Sequence, residues 1–151
     1  MIDRRSFIGA LAAMLASAPA AMARTPLQGP VQVQGFRAPD CGCCEAWIAH
    51  LEENGFPVED TLSVHLDEIK DRLGIPVNLR SCHTALVEDY IIEGHVPAKD
   101  IRCLLEKRPT ATMLAVPGMP IGSPGMEMGE RVAPFEVILW TGSGTQIFSQ
   151  N

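Results

Sequence analysis

The chain has 151 residues, of which 46% are hydrophobic and 20% are charged, and its formal net charge at pH 7 is −6. This length suffices for one hydrophobic core, and the composition is that of a globular domain. The acidic balance argues against nucleic acid and anionic membrane surfaces as partners, because both call for a basic protein surface.

The N-terminal segment "MIDRRSFIGALAAMLASAPAAMA" predicts an export signal. Paired Arg4 and Arg5 precede a short apolar stretch, which ends in an A-x-A cleavage pattern at Ala23. The Arg-Arg-Ser-Phe-Ile run resembles a twin-arginine signal. We therefore expect removal of residues 1–23, a periplasmic domain over 24–151, and no stable membrane insertion after cleavage.

The next part of the chain predicts alternating strands and helices. Period-2 alternation indicates strands, helical spacing indicates helices, and glycines or a proline mark their limits. The predicted elements are a strand at 31–38, a helix at 44–55, a strand at 56–64, a helix at 65–74, a hairpin of strands at 84–87 and 90–92, and a helix from 97. This order is that of a thioredoxin-like or glutaredoxin-like single α/β domain with a mixed central sheet and helices on both faces.

Residues 110–134 have a different character, because they are rich in Pro, Gly and Met and show neither helical nor strand periodicity. We predict a Met/Gly/Pro-rich loop here that is either functional or packed along the domain, since structureless loops of this length are uncommon. The runs "FEVILW" and "TQIFSQ" that follow predict a C-terminal β-hairpin.

Three of the five cysteines, Cys41, Cys43 and Cys44, lie within four residues at the predicted strand-to-helix turn. The unpaired N–H groups of a helix N-terminus favour thiolate over thiol, which suits both redox chemistry and metal binding. Cys41 and Cys44 are the easier pair to join, because a Cys43–Cys44 bond would be a strained vicinal disulfide. Cys41 and Cys44 are therefore the candidate catalytic redox pair. An odd number of cysteines leaves at least one thiol free or bound to metal.

A fourth thiol, Cys82, belongs to the segment "SCHT" before the third predicted strand. Thioredoxin-like domains usually place a cis-proline there, against the C-x-x-C turn, so the fold prediction brings Cys82 beside the other three cysteines. Four thiols with a neighbouring imidazole suit Cu(I) or Zn(II). His83 is either a further ligand or a hydrogen-bonded turn residue.

Methionine thioethers offer a second class of soft ligand. Met126 and Met128 in "GMEM" are candidate copper ligands, although flexible methionines also fill gaps beneath irregular loops. Among the remaining candidates, Cys103 is expected to be a small core residue of the last helix. His50 and His65 are expected at the surface, and His95 could approach the site.

Three segments together resemble the small exported CxCC proteins, which are described either as a domain of unknown function or as CopG-type copper-resistance proteins. The segments are "CGCCEAWIAHLEENGF", "RLGIPVNLRSCHTALVEDYIIEGHVPAKDIRCLL" and "LAVPGMPIGSPGMEMG". The resemblance implies a thioredoxin-like fold, copper binding through the cysteines, and a role in periplasmic copper redox handling. By position, Cys41, Cys43 and Cys44 match the CxCC motif and Cys82 matches the distal cysteine.

The leading hypothesis is therefore a periplasmic protein that binds Cu(I) through its thiols and couples thiol oxidation to Cu(I)/Cu(II) interconversion, with copper-transport or redox proteins as partners. The alternatives are a thiol–disulfide oxidoreductase acting on proteins and a structural zinc site. Whether the protein is an enzyme is left open.

Overall fold

The structure, a computed structural model, describes residues 29–151. The predicted export signal lies outside this range. The elements in chain order are β1 (Val33–Arg37), α1 (Gly42–Glu53), β2 (Val58–Leu62), α2 (Leu66–Arg72), a short 3₁₀ turn (Val77–Leu79), β3 (His83–Val87), β4 (Tyr90–Glu93), α3 (Ala98–Lys107), β5 (Met113–Ala115), β6 (Glu136–Trp140) and β7 (Thr145–Gln150). Within this range no helix has both the length and the apolar character needed to cross a membrane.

All seven strands form one mixed sheet in the order β2-β1-β3-β4-β5-β6-β7. The pairs β1–β2 and β4–β5 are parallel and the others are antiparallel. The mixed α/β class, the element order up to α3 and the C-terminal hairpin are confirmed. The closer assignment to the thioredoxin-like class stays a prediction.

The sheet has a buried cluster on each face, because successive side chains of a strand point to opposite sides. On β4, Ile92 packs in the larger cluster, together with Trp47 of α1 and Ile101 of α3. Its neighbour Ile91 packs in the smaller cluster, together with Ile75 from the turn after α2. Helices therefore lie on both faces, as the sequence predicted.

The prediction of a segment without strand structure at 110–134 was wrong in its first part. Residues 113–115 form β5, which lies between β4 and β6, and all three are buried. A strand buried on both faces does not alternate apolar with polar residues, so its periodicity carried no signal. The remainder, from Pro117 to Pro134, is an irregular segment that we call the Met/Gly loop.

Candidate metal centre

The sheet brings the two cysteine segments to the same edge. Within the antiparallel pair β1–β3, Arg37 at the end of β1 lies opposite His83 at the start of β3. The segment that leaves β1 and the one that enters β3 therefore emerge side by side. Cys41 caps α1, Cys43 and Cys44 lie in its first turn, and Cys82 directly precedes β3.

The four sulfur atoms form one cluster, in which all lie within 4.8 Å of one another. Cys43 Sγ lies 3.6 Å from Cys41 Sγ and 3.8 Å from Cys82 Sγ. Cys82 Sγ also lies 3.5 Å from Cys44 Sγ. Four metal–sulfur bonds of about 2.3 Å at tetrahedral angles would separate their sulfurs by about 3.8 Å. These three contacts match that spacing, whereas the sulfurs of Cys41 and Cys44 are bonded to each other and would have to separate on reduction.

Cys41 and Cys44 are joined by a disulfide, whereas Cys43 and Cys82 are free. The two bonded sulfurs differ in access, because Cys44 is fully buried and Cys41 is half-buried. An external thiol can therefore reach the disulfide only from the Cys41 side. The cluster can exist in two states, one with four thiols and one with two thiols and a disulfide.

Two histidines complete the surroundings of Cys82. Its Sγ lies 3.1 Å from His95 Nε2 and 3.4 Å from His83 Nδ1. His95 Nδ1 lies 2.8 Å from the carbonyl oxygen of Pro124 and donates to it, which leaves Nε2 as an acceptor facing the thiol. Cys82, His83 and His95 thus form a second group of candidate ligands that shares Cys82 with the first.

The pKa values of these groups are governed by burial. Burial, with a smaller contribution from Cys43, raises the pKa of the Cys82 thiol to about 12, so it is protonated at neutral pH. Burial lowers the pKa of His83 well below its usual value, and the charges of His95 and Lys70 add to this effect. Burial also lowers the pKa of His95. At neutral pH Cys82 is therefore a thiol, and a metal ion that binds its sulfur must displace the proton.

The imidazole of His83 lies over Trp47, with ring centroids 4.3 Å apart, and it meets His95 edge to face at 4.9 Å. Trp47 is anchored in turn, because its indole N–H donates to Val96 O over 2.9 Å. His83 Nε2 is buried and has no hydrogen-bond partner among residues 29–151. A buried imidazole whose Nδ1 contacts a thiol and whose Nε2 has no partner is unusual for a purely structural histidine.

The Met/Gly loop packs directly on the first turns of α1. Gly125 has φ +84°, and a Cβ at this position would approach Cys43 O to 2.5 Å and Trp47 N to 2.7 Å. Pro124, just before it, supplies the carbonyl that orients His95. The loop is therefore part of the wall of the cluster, which agrees with the expectation that it packs along the domain.

Two solved structures match this chain over nearly their whole length. They are two forms of the copper resistance protein CopG: form 2 is 43% identical with a TM-score of 0.77, and form 1 is 41% identical with a TM-score of 0.76. Each match covers 81% of this chain and 98% of the solved chain. The chain belongs to the CopG family. A family model described as a protein of unknown function, DUF411, matches residues 79–126, and no curated protein matches the chain.

In this CopG-family chain the four predicted cysteines converge as the sequence suggested, and His83 lies beside them. His95 was only a marginal candidate, yet it makes the shorter of the two histidine contacts with Cys82. Met126 directly follows Gly125 and is half-buried, whereas Met128 is 49% exposed.

Three other predictions for the CopG-family chain concerned residues outside the cluster. His50 is half-buried and accepts a hydrogen bond from Ala98 N over 3.1 Å, so its placement at the surface was wrong. His65 is exposed, as predicted. Cys103 is half-buried on α3 and belongs to neither ligand group. The sequence could have indicated the role of His50 only through the contact between α1 and α3, which is not local.

Proposed function

We propose that this protein binds Cu(I) through Cys41, Cys43, Cys44 and Cys82. Thiolates are soft ligands that favour Cu(I), and four of them in mutual contact form a site that hard ions such as Mg²⁺ and Ca²⁺ do not prefer. The convergence of the four sulfurs within 4.8 Å is the observation that carries this proposal. The relation to copper resistance proteins supports copper as the metal.

His83 and the methionines of the loop extend the proposed ligand set. His83 Nδ1 lies 3.4 Å from the Cys82 sulfur, so this nitrogen would join the thiols as a ligand. Met126 and Met128 would supply thioethers from the loop that closes over α1. These soft donors stay available when thiols are oxidised, which suits an oxidising compartment.

The disulfide state couples copper affinity to redox chemistry. When Cys41 and Cys44 give up two electrons and two protons to form their disulfide, two Cu(II) ions are reduced to two Cu(I) ions. The oxidised site keeps only the thiols of Cys43 and Cys82, so it binds Cu(I) more weakly than the reduced site. An external dithiol reductant that attacks the half-buried Cys41 sulfur would restore the four thiols.

The proposed location is the periplasm, after removal of residues 1–23. The signal pattern of the sequence and the relation to CopG support it. Copper-transport or redox proteins of that compartment would deliver the ion, remove it, or supply electrons. Cell fractionation and N-terminal sequencing test the location, with a mature chain that begins at Arg24 as the expected result. A chain that retains Met1 in the cytosol would contradict it.

Competition with a chromophoric Cu(I) chelator under anaerobic conditions tests copper binding. Fully reduced protein is expected to bind Cu(I) tightly, and the protein with its Cys41–Cys44 disulfide is expected to bind more weakly. Cys82→Ser should weaken binding by about 10- to 100-fold or more, since even groups that only orient metal ligands contribute that much. Cys103→Ser is the matched control, because Cys103 lies outside the cluster.

Two results would refute the proposal. One is a reduced protein that cannot compete with the chelator, and the other is a Cys82→Ser variant with wild-type affinity. Zinc that is retained in preference to Cu(I), and whose removal unfolds the chain, would instead identify a structural zinc site.

A further inference from the structure

A buried ion pair lies on the opposite side of the Cys82 segment from the cluster. Lys70 of α2 is 2% exposed and Glu93 at the end of β4 is 0% exposed, and the ammonium donates directly to the carboxylate. Lys70 Nζ also donates to Thr84 Oγ1 over 2.7 Å. Thr84 Oγ1 in turn donates to Glu93 Oε2 over 2.7 Å. Neither charged residue belongs to a ligand group.

A buried ion pair contributes little net stability, because removing two charges from water offsets most of their attraction. Apolar residues of similar shape at both positions would fill the same space without lowering the free energy of unfolding. General stability therefore does not account for the buried pair of Lys70 and Glu93. Buried ionic groups can instead fix one specific arrangement of the structure around them, which here is the neighbouring backbone.

The backbone that Glu93 holds is the segment that carries Cys82. Glu93 Oε1 accepts a hydrogen bond from Ser81 N over 2.7 Å, one residue before the thiol. Gly94 N donates to His83 O over 3.0 Å, one residue after it. Two consecutive residues at the end of β4 thus fix the backbone on both sides of Cys82.

Gly94 can lie this close to the Ser81 backbone because it has no side chain. Its φ is +72°, and a Cβ at this position would meet Ser81 Cβ at 2.5 Å and Val116 O at 2.6 Å. The Ser81 hydroxyl also donates to Gly118 O, which ties the same segment to the Met/Gly loop. His95 follows Gly94 and contacts Cys82 Sγ directly.

We propose that Glu93, with its charge balanced by Lys70, is a positioning residue that holds the Ser81 backbone and thereby sets the place of the Cys82 sulfur in the cluster. This proposal extends the proposed copper site, on which it rests, to residues from α2 and β4. The carboxylate acts through the backbone of Ser81 and does not touch the ligand. Loss of its acceptor oxygen would free Cys82 while leaving the other three cysteines on α1 in place.

Two double variants isolate the acceptor from the charge. Lys70→Met with Glu93→Gln removes both charges but keeps an amide oxygen for Ser81 N, whereas Lys70→Met with Glu93→Met removes the oxygen as well. Gln and Met are similar in length, so the packing of the two variants is matched. Each is made with Cys43→Ser and Cys103→Ser, which leaves Cys82 as the only free thiol beside the disulfide among residues 29–151.

The readout is the rate at which iodoacetamide alkylates Cys82 in the metal-free, oxidised protein. The Gln variant is expected to react within about threefold of its Cys43→Ser, Cys103→Ser parent. The Met variant is expected to react about tenfold faster, since a hydrogen bond to a buried acceptor is lost. Ile101→Val, a core change on α3, controls for general loosening and should leave the rate unchanged. Equal rates in the two double variants, or an equal rise in the Ile101→Val protein, would overturn the proposal.

The donor side of the same hydrogen bond gives an independent test if the Met variant does not fold. Ser81→Pro removes the N–H that Glu93 accepts, and Ser81→Ala loses only the hydroxyl. Faster alkylation in the proline variant alone supports the proposal, and equal rates in both contradict it. Because alkylation needs no copper, failure of copper binding would refute the proposed function without changing this result.

Cu(I) affinity provides the second readout, measured in the same double variants with all five cysteines kept. It should fall about tenfold in the Met variant and stay near the wild-type value in the Gln variant. The Met variant should also be less stable than the Gln variant, because its Ser81 N–H has lost its acceptor. A loss of affinity that simply follows the loss of stability across these variants and Ile101→Val would show that the ion pair is only structural.

Discussion

Cys82 is the residue on which the candidate metal centre depends most. Its sulfur belongs to both ligand groups, the four cysteines and the Cys82–His83–His95 set. It is also the only cluster cysteine that lies outside both α1 and its N-cap position. The pKa of about 12 means that Cu(I) must displace a proton from this thiol, so copper affinity is expected to rise with pH.

Acid should destabilise the metal-free protein through His83. Its folded-state pKa lies well below the ordinary value of 6.5, so the unfolded chain takes up a proton as the pH falls below about 6.5 while the folded chain does not. The stabilisation by the neutral, buried His83 is therefore complete above this pH. Below it, the free energy of unfolding falls by about 1.4 kcal/mol per pH unit for each such histidine. Urea unfolding at pH 7.5, 6.5 and 5.5 measures this pH dependence of the free energy of unfolding. His83→Asn should reduce the slope, and a variant of the exposed His65, His65→Gln, should keep it.

The two sulfurs of the disulfide should differ in reactivity once it is reduced. Cys44 is 0% exposed and Cys41 is half-buried, so alkylation at neutral pH should label Cys41 at least about tenfold faster. Mass spectrometry of peptides after timed quenching measures the two rates. Faster labelling of Cys44 would contradict the proposed route of external reductants through Cys41.

At the scale of elements, the important contact is between the Met/Gly loop and α1. The loop supplies Pro124 O to His95, and Gly125 approaches the backbone of Cys43 too closely for a side chain. The loop therefore orients the candidate ligand His95 and packs against the backbone of the candidate ligand Cys43. A change in this contact should alter the site more than a change elsewhere in the loop.

Gly125→Ala tests this contact against a matched glycine of the same loop. Gly129 also has a positive φ, of +64°, but a Cβ there would have no neighbour within 4 Å. Gly129→Ala should lower the free energy of unfolding by about 1–2 kcal/mol through backbone strain alone. Gly125→Ala should lower it by about 1–3 kcal/mol more, because the loop must move off α1. It should also weaken Cu(I) binding, which calorimetry and chelator competition measure. Equal effects of the two changes would argue against the close contact.

At the scale of the whole molecule, the site joins segments from across the fold. The cysteines come from the turn into α1 and the entry to β3, His95 follows β4, and the loop lies between β5 and β6. A ligand that joins these segments stabilises the folded state over the unfolded one, because only the folded chain adds Cys82 to the three cysteines that are close in sequence.

Cu(I) should therefore raise the melting temperature of the reduced protein strongly. Free Cu(I) at 1000 times its dissociation constant would add up to about 4 kcal/mol to the free energy of unfolding, less whatever is offset by copper binding to the CxCC segment of the unfolded chain. Differential scanning calorimetry under anaerobic conditions, with a Cu(I) buffer, measures the shift. The oxidised protein should gain much less, and removal of copper by a chelator should reverse the shift. An equal gain in both redox states would contradict the coupling of affinity to the disulfide.

Much of this architecture could be predicted from local sequence. Periodicity and turn residues within a short window specify the strand before Cys41, the helix after it and the hairpin of β3 and β4. The CxCC motif at a helix N-terminus is likewise a local feature. Together with the segments around Cys82 and in the Met/Gly loop, it carried the resemblance to the CopG family.

The sequence by itself predicted the element order up to α3, the C-terminal hairpin and a soft-ligand cluster, because these depend on residue type and short spacing. The relation to CopG came from the resemblance of three longer segments. Only the tertiary structure decided that β5 lies inside the sheet, that His95 faces Cys82, and that Lys70 and Glu93 meet behind it. Each of these features depends on residues far apart in the chain whose approach is set by strand pairing and packing. A lysine on a short helix looks solvent-exposed until the sheet supplies the buried carboxylate that it pairs with.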